Sequence, residues 1–421
     1  MSNPTLPPGP RIPAPIQNYL FLWWAVPFIS GAQRRYGDVF TLRFVGMGDM
    51  VVIADPELVK EIMTGSPEVF RAGEANPRMR TLMGPSSMSV VDGEEHLETR
   101  KRVSPALHGE SLRLHKAMVA QLTAERVQDW PIGKPISMYS ESRKIMSEAI
   151  LRVAIGTQDI PLLNEIREAV KKIVNVTFVI NPSYLYLWLH GLPPWKRYWA
   201  TVERMRALID ELVDARAADE SLESHIDTVS ILLRACEGDR LWVREQIMTL
   251  AFGGQESMTA GLSWAVDLLA RNPSARMRAR EQGDPYLDAV VIETLRLRSI
   301  PGAARRLSKP TVVGPYCFPA GVTLFAVSLL MSRDARLFEA PDDFRPERWL
   351  DKRPGTYTWL PFGGGQRRCA GAALAQMTLR TALATMLERI DWEPVGRRPE
   401  RQKSAHVTLI PARGGLIMRT R

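Results

Sequence analysis

The order of apolar and polar positions predicts a chain that is mainly helical. Between about residues 94 and 298, apolar residues recur at three- and four-residue spacing, as in MVAQLTAERV and ERMRALIDELVDARA. That spacing is the period of one face of an α-helix. A final long helix is predicted from about Ala372. We therefore expect packed helices to make up most of the chain.

Two shorter stretches predict strands. In DVFTLRFVGMGDMVVIADPELVKEIM, apolar positions alternate on both sides of a turn at residues 46–49, and Asp55-Pro56 then breaks the pattern. This order predicts a β-hairpin followed by a helix. A second β-rich patch is predicted within TVVGPYCFPAGVTLFAVSLL. No repeat or linker divides the chain, so we expect one domain over residues 1–421, with residues 1–15 as a proline-rich extended segment.

The stretch IQNYLFLWWAVPFISG, residues 16–31, resembles a membrane segment in its composition. It is shorter than the about 20 apolar residues that span a bilayer, and Pro27 interrupts it. We therefore expect no transmembrane anchor. The segment is expected to pack on the domain, with contact to a membrane surface as the alternative.

Composition limits the setting of the protein. The chain has 421 residues, of which 45% are hydrophobic, so it can bury a large core. Its three cysteines have no CxxC spacing, and its start lacks the parts of a secretory signal, which favours a reducing cytoplasm without disulfides. The net charge of +9 comes from basic residues interleaved with acids. This pattern favours an acidic protein partner over nucleic acid.

The loop FGGGQRRCAG, residues 362–371, places Cys369 after Arg367 and Arg368 and before a predicted helix. Nearby cations and a helix N-terminus favour a thiolate, which is the form that binds metal, so a lowered pKa is expected for this thiol. The glycines allow a flat ligand to approach the main chain. The alternative is a buried, inert cysteine in a glycine turn.

The loop resembles the haem-binding loop of the cytochrome P450 family, phenylalanine-x-x-glycine-x-arginine-x-cysteine-x-glycine. The matching residues are Phe362, Gly365, Arg367, Cys369 and Gly371. The resemblance implies a mainly α fold with small β-sheets, a triangular helical bundle that encloses haem b. It also implies Cys369 as the proximal iron ligand, Arg367 against a haem propionate and Phe362 beside the sulfur. A monomer is expected.

Further positions match the family in the same order. Glu293 and Arg296, three apart in a helical run, together with Arg348 in FRPERW, resemble its buried Glu-Arg-Arg network. Alone, the first two would be an ordinary solvated helix pair. His96 and Arg100, one helical turn apart, resemble its propionate-binding residues, with a solvated helix face as the alternative. Arg305 or Arg306 resembles a further propionate arginine, and the sequence leaves both open.

The run TLAFGGQESMTAGLSWAV resembles the family's long central helix, which crosses the haem face. Gly253 and Gly254 are expected to leave room there and to loosen the helix so that water enters its hydrogen-bond ladder. Glu256 and Ser257 stand where the family has its acid-alcohol pair for proton delivery. Serine keeps the hydroxyl of the usual threonine but loses the methyl group that restricts its rotamer. Proton delivery is therefore expected to be less ordered, with some peroxide release or use of peroxide. The alternative is that Glu256 is a solvated helix residue.

The resemblance implies a monooxygenase that inserts one oxygen atom from dioxygen into a hydrophobic small molecule. Electrons would come from a separate acidic ferredoxin or flavodoxin with its NAD(P)H reductase. That partner would meet a basic face that includes Lys101, Arg102, Arg353 and Arg368. A peroxygenase, an isomerase or dehydratase that works without a reductase, and a haem-based sensor or binding protein stay open as alternatives.

The expected substrate pocket is apolar and favours a terpenoid, steroid or fatty acid. The run of small residues from Gly302 is expected to leave space at the haem edge, which favours a bulky ring system. The predicted lining residues are Met83, Ser87, Met88, Leu250, Gly253, Gly254, Ile300, Gly302 and Ala303.

Overall fold

A computed structural model describes residues 5–156, 161–180, 192–193, 195–298, 302–405 and 408–421. The helices are α1 Ala14–Trp23, α2 Ala25–Tyr36, α3 Pro56–Thr64, α4 Pro77–Met83, α5 Gly93–Val103, α6 Glu110–Gln128, α7 Met138–Ile155, α8 Pro161–Ile180, α9 Trp195–Ala217, α10 Thr228–Ala235, α11 Arg240–Gly253, α12 Gln255–Arg271, α13 Pro273–Gln282, α14 Asp284–Leu297, α15 Ser328–Met331 and α16 Ala372–Arg389. The strands are β1 Val39–Phe44, β2 Gly48–Ile53, β3 Phe70–Arg71, β4 Pro135–Ser137, β5 Ala303–Leu307, β6 Thr311–Val313, β7 Tyr316–Phe318, β8 Thr323–Ala326, β9 Trp392–Pro394, β10 Gln402–Ala405, β11 Thr408–Pro411 and β12 Leu416–Arg419.

The larger hydrophobic core lies among the helices. α12 packs along α7, α16 packs along α6, and α14 lies against both α12 and α16. Buried side chains such as Ile247, Leu262 and Leu383 fill the space between them. The prediction of a mainly helical fold with small sheets is confirmed.

A second core lies beneath a sheet with the strand order β1-β2-β8-β5-β3. The β2 and β8 strands pair in parallel and the other neighbours pair antiparallel. The hairpin and the helix after it are confirmed, with the turn at residues 45–47. The Asp55 carboxylate caps α3 by accepting the N–H groups of Glu57 and Leu58 at 2.9 and 3.0 Å, and Pro56 occupies the first helical position.

The expected long central helix is divided into α11 and α12 at Gly254, which goes further than the local loosening that its two glycines predict. Two consecutive glycines weaken the helical hydrogen-bond ladder at that point. The sequence also missed β5, β4 and the strands from β9 to β12. Each has three to five residues, too few to show a clear alternation.

The N-terminal apolar segment forms α1 and α2, which contact β1. The expectation that it packs on the domain holds for one face only: Ile29 is buried, whereas Trp23 and Trp24 are exposed. Among the described residues, no helix is long and apolar enough to cross a membrane.

Candidate active site

The loop around Cys369 is shaped by its glycines. The backbone N–H of Cys369 donates to the Phe362 carbonyl at 2.8 Å, which closes the loop. Gly365 has φ +63°, and a Cβ there would lie 1.8 Å from the Met63 carbonyl oxygen. Only glycine fits a position with both constraints. The loop therefore packs directly against the C-terminal end of α3.

The Cys369 sulfur accepts a hydrogen bond from the Gly371 N–H, and α16 begins one residue later. Cys369 keeps an exposed surface, yet the protein around it removes enough water to raise the pKa of the thiol. The Gly371 N–H and the charges of Arg100 and Arg368 lower that pKa by less than burial raises it. The expected net lowering is thus wrong for the protein alone, because desolvation outweighs the cations. Coordination to a metal ion would itself deprotonate the thiol.

Basic side chains from α5, β5 and the cysteine loop lie close enough for their charges to act on one another: His96, Arg100, Arg305 and Arg367. Burial lowers the pKa of Arg305 to about 10 and also lowers the pKa of Arg367. Burial, together with the charges of Arg367 and Arg100, lowers the pKa of His96 to about 3, so its imidazole is neutral at neutral pH. The cationic cluster thus consists of the three arginines, of which Arg305 and Arg367 are desolvated, beside the neutral imidazole of His96.

No ion pair joins the cluster to a carboxylate among the described residues, although the charge of Asp92 acts on His96, Arg305 and Arg367. Neither Arg305 nor Arg367 forms an ion pair within the described ranges, and both donate instead to neutral acceptors, among them the carbonyls of Val91 and Ala304 at 2.7 and 2.8 Å. The nearest carboxylate, Asp92, already accepts three backbone N–H groups from residues 72–74. An added pair of carboxylates, such as the two haem propionates, would balance these buried charges.

The strand β5 separates the two arginines that the sequence left open. Successive side chains of a strand point to opposite faces. Arg305 is buried with the cluster, and its guanidinium also contacts the Met63 sulfur at 3.2 Å. Arg306 is half-buried on the other face, beside Gly321. The geometry therefore brings Arg305, and not Arg306, to His96 and Arg367.

Glu293 and Arg296 are both fully buried and form a bidentate pair at 2.8 and 2.9 Å. Arg348 Nε donates to Glu293 Oε1 at 3.1 Å. The remaining Arg296 N–H groups donate to the carbonyls of Ser332, Pro341 and Asp343 at 2.5, 2.7 and 3.1 Å. Because every charged group has partners, this network is a closed buried cluster rather than a solvated helix pair.

Two tryptophans that the sequence analysis missed extend this network. The Trp349 indole N–H donates to Glu293 Oε2 at 2.8 Å. The Trp359 indole N–H donates to the Ile292 carbonyl at 3.3 Å, and its ring packs edge-on against Phe362 with the centroids 5.7 Å apart. Contacts thus run from α14 to the cysteine loop. The position of Trp349 directly after Arg348 was the available sequence signal.

The two glycines of the central helix differ in their surroundings. A Cβ on Gly253 would meet no atom within 4 Å, whereas one on Gly254 would lie 2.9 Å from Ile150 Cδ1 of α7. Gly253 therefore faces open space. At Gly254, Ile150 of α7 approaches closely on the side where a side chain would project. The place of both glycines in the pocket stays a prediction.

The acid-alcohol pair lies in the first turn of α12. Glu256 is not a freely solvated residue, because it accepts a hydrogen bond from the Tyr139 hydroxyl at 2.8 Å and pairs with Arg143 at 3.3 Å. Both partners belong to α7, and neither was predicted. The Ser257 hydroxyl donates to the Gly254 carbonyl at 3.3 Å. Its hydroxyl thus lies at the break between the two helices.

The predicted lining residues on α4 and the loop after it pack against α11. Met83 and Ser87 are buried, and the Ser87 and Thr249 hydroxyls lie 2.6 Å apart. The backbone N–H of Met88 donates to Gln246 at 3.0 Å. Leu250 is half-buried against the helical core. The structure therefore brings this set of residues together beside the central helix.

The other predicted lining residues, Ile300, Gly302 and Ala303, lie before and at the start of β5. A Cβ on Gly302 would lie 2.0 Å from the Ala326 carbonyl oxygen, so this glycine allows close backbone packing on β8 and leaves no space for a ligand. The inference of room for a bulky ring system at this position is therefore wrong. Ala303 lies beside Gly363 of the cysteine loop. Ile300 lies outside the described residues.

Comparisons with known proteins agree with this geometry. The sequence model of the family described as Cytochrome P450 matches residues 7–418. Cytochrome P450 135B1 of Mycobacterium tuberculosis is 35% identical over 437 residues, covering 99% of this chain and 92% of the relative. Cytochrome P450 137 of the same organism is 32% identical over 431 residues, covering 97% and 90%.

Solved structures show the same fold. The cyanobacterial CYP120A1 with bound retinoic acid has a TM-score of 0.82 at 20% identity, with 99% of both chains covered. CYP175A1 of Thermus thermophilus has a TM-score of 0.74 at 21% identity, covering 92% of this chain and 93% of that one. The chain therefore belongs to the cytochrome P450 family, whose members are haem-thiolate monooxygenases that hold the haem iron through a cysteine.

Proposed function

We propose that this chain, as one haem domain, oxidises a hydrophobic small molecule of the terpenoid, steroid or fatty-acid class, with Cys369 as the proximal ligand. The observation that carries the proposal is the cysteine loop beside a largely desolvated group of arginines that form no ion pair among the described residues. When bound, a haem with a thiolate ligand supplies an electron-rich iron centre that favours O–O cleavage.

The residues of the chain hold and orient that group. His96, Arg100, Arg305 and Arg367 are assigned to the haem propionates, because the three arginines form the cationic cluster and His96 lies beside it. Phe362 is assigned to the side of the sulfur, where its ring is fixed by Trp359. Glu293, Arg296 and Arg348 fix α14 to the loop section and take no part in the chemistry.

Proton supply is assigned to Glu256 and Ser257. The Glu256 side chain is 13% exposed and pairs with Arg143, which is 30% exposed. The carboxylate therefore lies close to solvent, behind a partly exposed cation. The Tyr139 hydroxyl fixes the same carboxylate from α7. Ser257 adds a hydroxyl at the helix break, where the backbone ladder is already interrupted.

Electrons are assigned to a separate acidic ferredoxin or flavodoxin. Arg368 and Lys101 are exposed in the cysteine loop and on α5, and these two elements are tied together by the hydrogen bond from Arg100 to the Arg368 carbonyl. Arg102 pairs with Glu237, so it contributes less free positive charge. A basic surface near the bound thiolate would attract an acidic partner.

Turnover with a surrogate ferredoxin, its reductase and NAD(P)H tests the function. Consumption of reductant with a product that has gained one oxygen atom is the expected result, measured by mass spectrometry with labelled dioxygen. A product formed without any electron donor would instead identify an isomerase or dehydratase. Product formed only from added peroxide would identify a peroxygenase.

Replacing Arg305 with leucine is expected to speed haem loss by about 10- to 100-fold, since one charge-assisted pair with a propionate disappears. The same change removes a buried cation that forms no ion pair, so the haem-free protein is expected to be no less stable. Transfer of haem to an excess of a scavenging apoprotein measures the first effect, and thermal unfolding measures the second.

Arg306→Leu is the matched control, because it changes the same residue type on the opposite face of β5. It is expected to leave haem transfer almost unchanged. Equal haem loss in the two variants, or a large loss of haem-free stability in Arg305→Leu, would contradict the assignment.

Replacing Ser257 with alanine is expected to lower product formation by up to about 100-fold, because a positioned proton donor is lost. Consumption of reductant should continue and hydrogen peroxide should rise. Ser263→Ala is the control: its hydroxyl is also on α12 and also donates to a carbonyl three residues earlier, at 3.0 Å. Unchanged coupling of reductant to product in Ser257→Ala would show that protons arrive by another route.

A further inference from the structure

Helix α1 turns two amide side chains and Phe21 toward the protein, and it leaves other large apolar side chains exposed. Gln17 is completely buried; its amide oxygen accepts the Arg43 N–H at 3.0 Å, and its amide nitrogen donates to the Ile12 carbonyl at 2.8 Å. Asn18 accepts the Val45 N–H at 3.0 Å. Because β1 ends in this region, the amides fix α1 against the sheet edge. The rotation of α1 is thereby set, with its two amide side chains inward.

The outward face is apolar and aromatic. The exposed large side chains of α1 are Ile16 at 49%, Tyr19 at 58% and Trp23 at 49%, and Ile12 at 37% and Trp24 at 60% flank its two ends. Ile16, Tyr19 and Trp23 follow the spacing of one helical face. An ordinary surface helix buries its apolar residues, whereas α1 leaves these three large ones exposed and buries Gln17. A contiguous patch of this kind marks an interaction surface.

The charge around the patch identifies its partner. No acidic residue precedes Asp38, whereas Arg11, Arg34 and Arg35 lie in the same stretch. Lys403 of β10 lies with its ammonium 6.0 Å from the centre of the Trp23 ring. Tryptophan and tyrosine favour the interface between lipid headgroups and acyl chains, and neighbouring basic residues add attraction to anionic headgroups.

We propose that the exposed face of α1 docks this protein on the surface of an anionic lipid bilayer. With 10 residues, α1 is about 15 Å long, half of a hydrocarbon core, so it lies along the surface and does not cross it. A second copy of the chain is less suited to cover this face, because a two-fold contact would bring the same basic residues together.

Sedimentation of the haem-loaded full chain with vesicles tests the proposal. Vesicles of phosphatidylcholine alone are compared with vesicles that also contain phosphatidylglycerol. The wild-type protein is expected to sediment with the anionic vesicles, less with the neutral ones, and less again at high salt. Brominated acyl chains in the anionic vesicles are expected to quench tryptophan fluorescence.

The double variant Trp23→Ser/Trp24→Ser is expected to partition about tenfold or more weakly, because two interfacial side chains are lost. The fluorescence quenching should disappear with them. The matched control is Leu241→Ser/Met277→Ser, which removes two other large side chains with exposures of 46% and 57%. It should bind vesicles as the wild type does. Because all four residues are exposed, both double variants should have the same circular dichroism spectrum as the wild type.

Wild-type protein that stays in solution with the anionic vesicles would overturn the proposal, as would a tryptophan double variant that binds equally well. A concentration-dependent dimer that this variant alone loses, without vesicle binding, would assign the face to a second copy of the chain. Equal binding to neutral and anionic vesicles would refute the role of the charges. None of these measurements depends on turnover, so their result is independent of the proposed oxidation chemistry.

Discussion

Replacing Cys369 with serine is expected to abolish oxygenation while the fold stays largely helical. Serine has no thiolate to donate to iron, so the loss should exceed the about 10- to 100-fold that removal of an outer-shell partner causes at a metal site. The loop should keep its shape, because the contacts that close it are backbone contacts. The strongly red-shifted Soret band of the reduced, carbon-monoxide-bound protein should disappear.

Cys317→Ser is the control for this experiment, since that cysteine lies half-buried in β7, apart from the cationic cluster. It should keep both the spectrum and the activity. A wild-type-like Soret band or normal turnover in Cys369→Ser would refute its assignment as the iron ligand. If Cys317→Ser alone lost the band, the ligand would have to be Cys317 of the β6-β7 pair.

The parts of the fold that the sequence predicts are those with local causes. Asp55 and Pro56 stop a strand and start a helix by their own hydrogen bonding and geometry, and the helix from Ala372 has apolar residues on a regular period. The break at Gly254 also has a local cause, the two consecutive glycines, whereas the close approach of Ile150 of α7 to Gly254 does not. A contact that is distant in sequence cannot be inferred from the pattern of one helix.

In the candidate active site, too, the sequence predicts what depends on neighbouring residues and misses what depends on distant contacts. The sequence groups Cys369 with its glycines because they are neighbours in one loop. The choice of Arg305 over Arg306 needs the face of β5, a strand too short to be predicted. Tyr139 and Arg143 meet Glu256 only because α7 packs along α12. The sequence suggested that Gly302 leaves space for a ligand. Only the tertiary structure shows that the Ala326 carbonyl of β8 occupies that space.

For the thiol of Cys369, the sequence identifies two effects on the pKa correctly but predicts the wrong direction of the net shift. The nearby cations and the Gly371 N–H do lower its pKa, as the sequence suggested. Burial acts in the opposite direction and is larger. Desolvation depends on how many protein atoms surround the sulfur, which is a property of the tertiary structure.

Replacing Glu293 with alanine is expected to lower the free energy of unfolding by about 3–5 kcal/mol, the second large effect in this protein. Arg296 would remain fully buried without its carboxylate, and Arg348 and the Trp349 indole would each lose an acceptor. Because the Trp349 and Trp359 contacts connect α14 to the cysteine loop, haem retention should fall with stability. Urea unfolding and the haem content of the purified protein measure the two effects.

Glu168→Ala is the matched control, because Glu168 and Lys171 form an ion pair with the same three-residue spacing but side-chain exposures of 60% and 68%. Loss of this exposed ion pair should lower the free energy of unfolding by less than about 1 kcal/mol. If Glu293→Ala does not fold, Glu293→Gln keeps one acceptor oxygen and should show a smaller decrease in the same direction. A decrease for Glu293→Gln no larger than that for Glu168→Ala would mean that the buried charge is not what holds α14 to the loop section. The network would then have to be explained by the packing of its tryptophans alone.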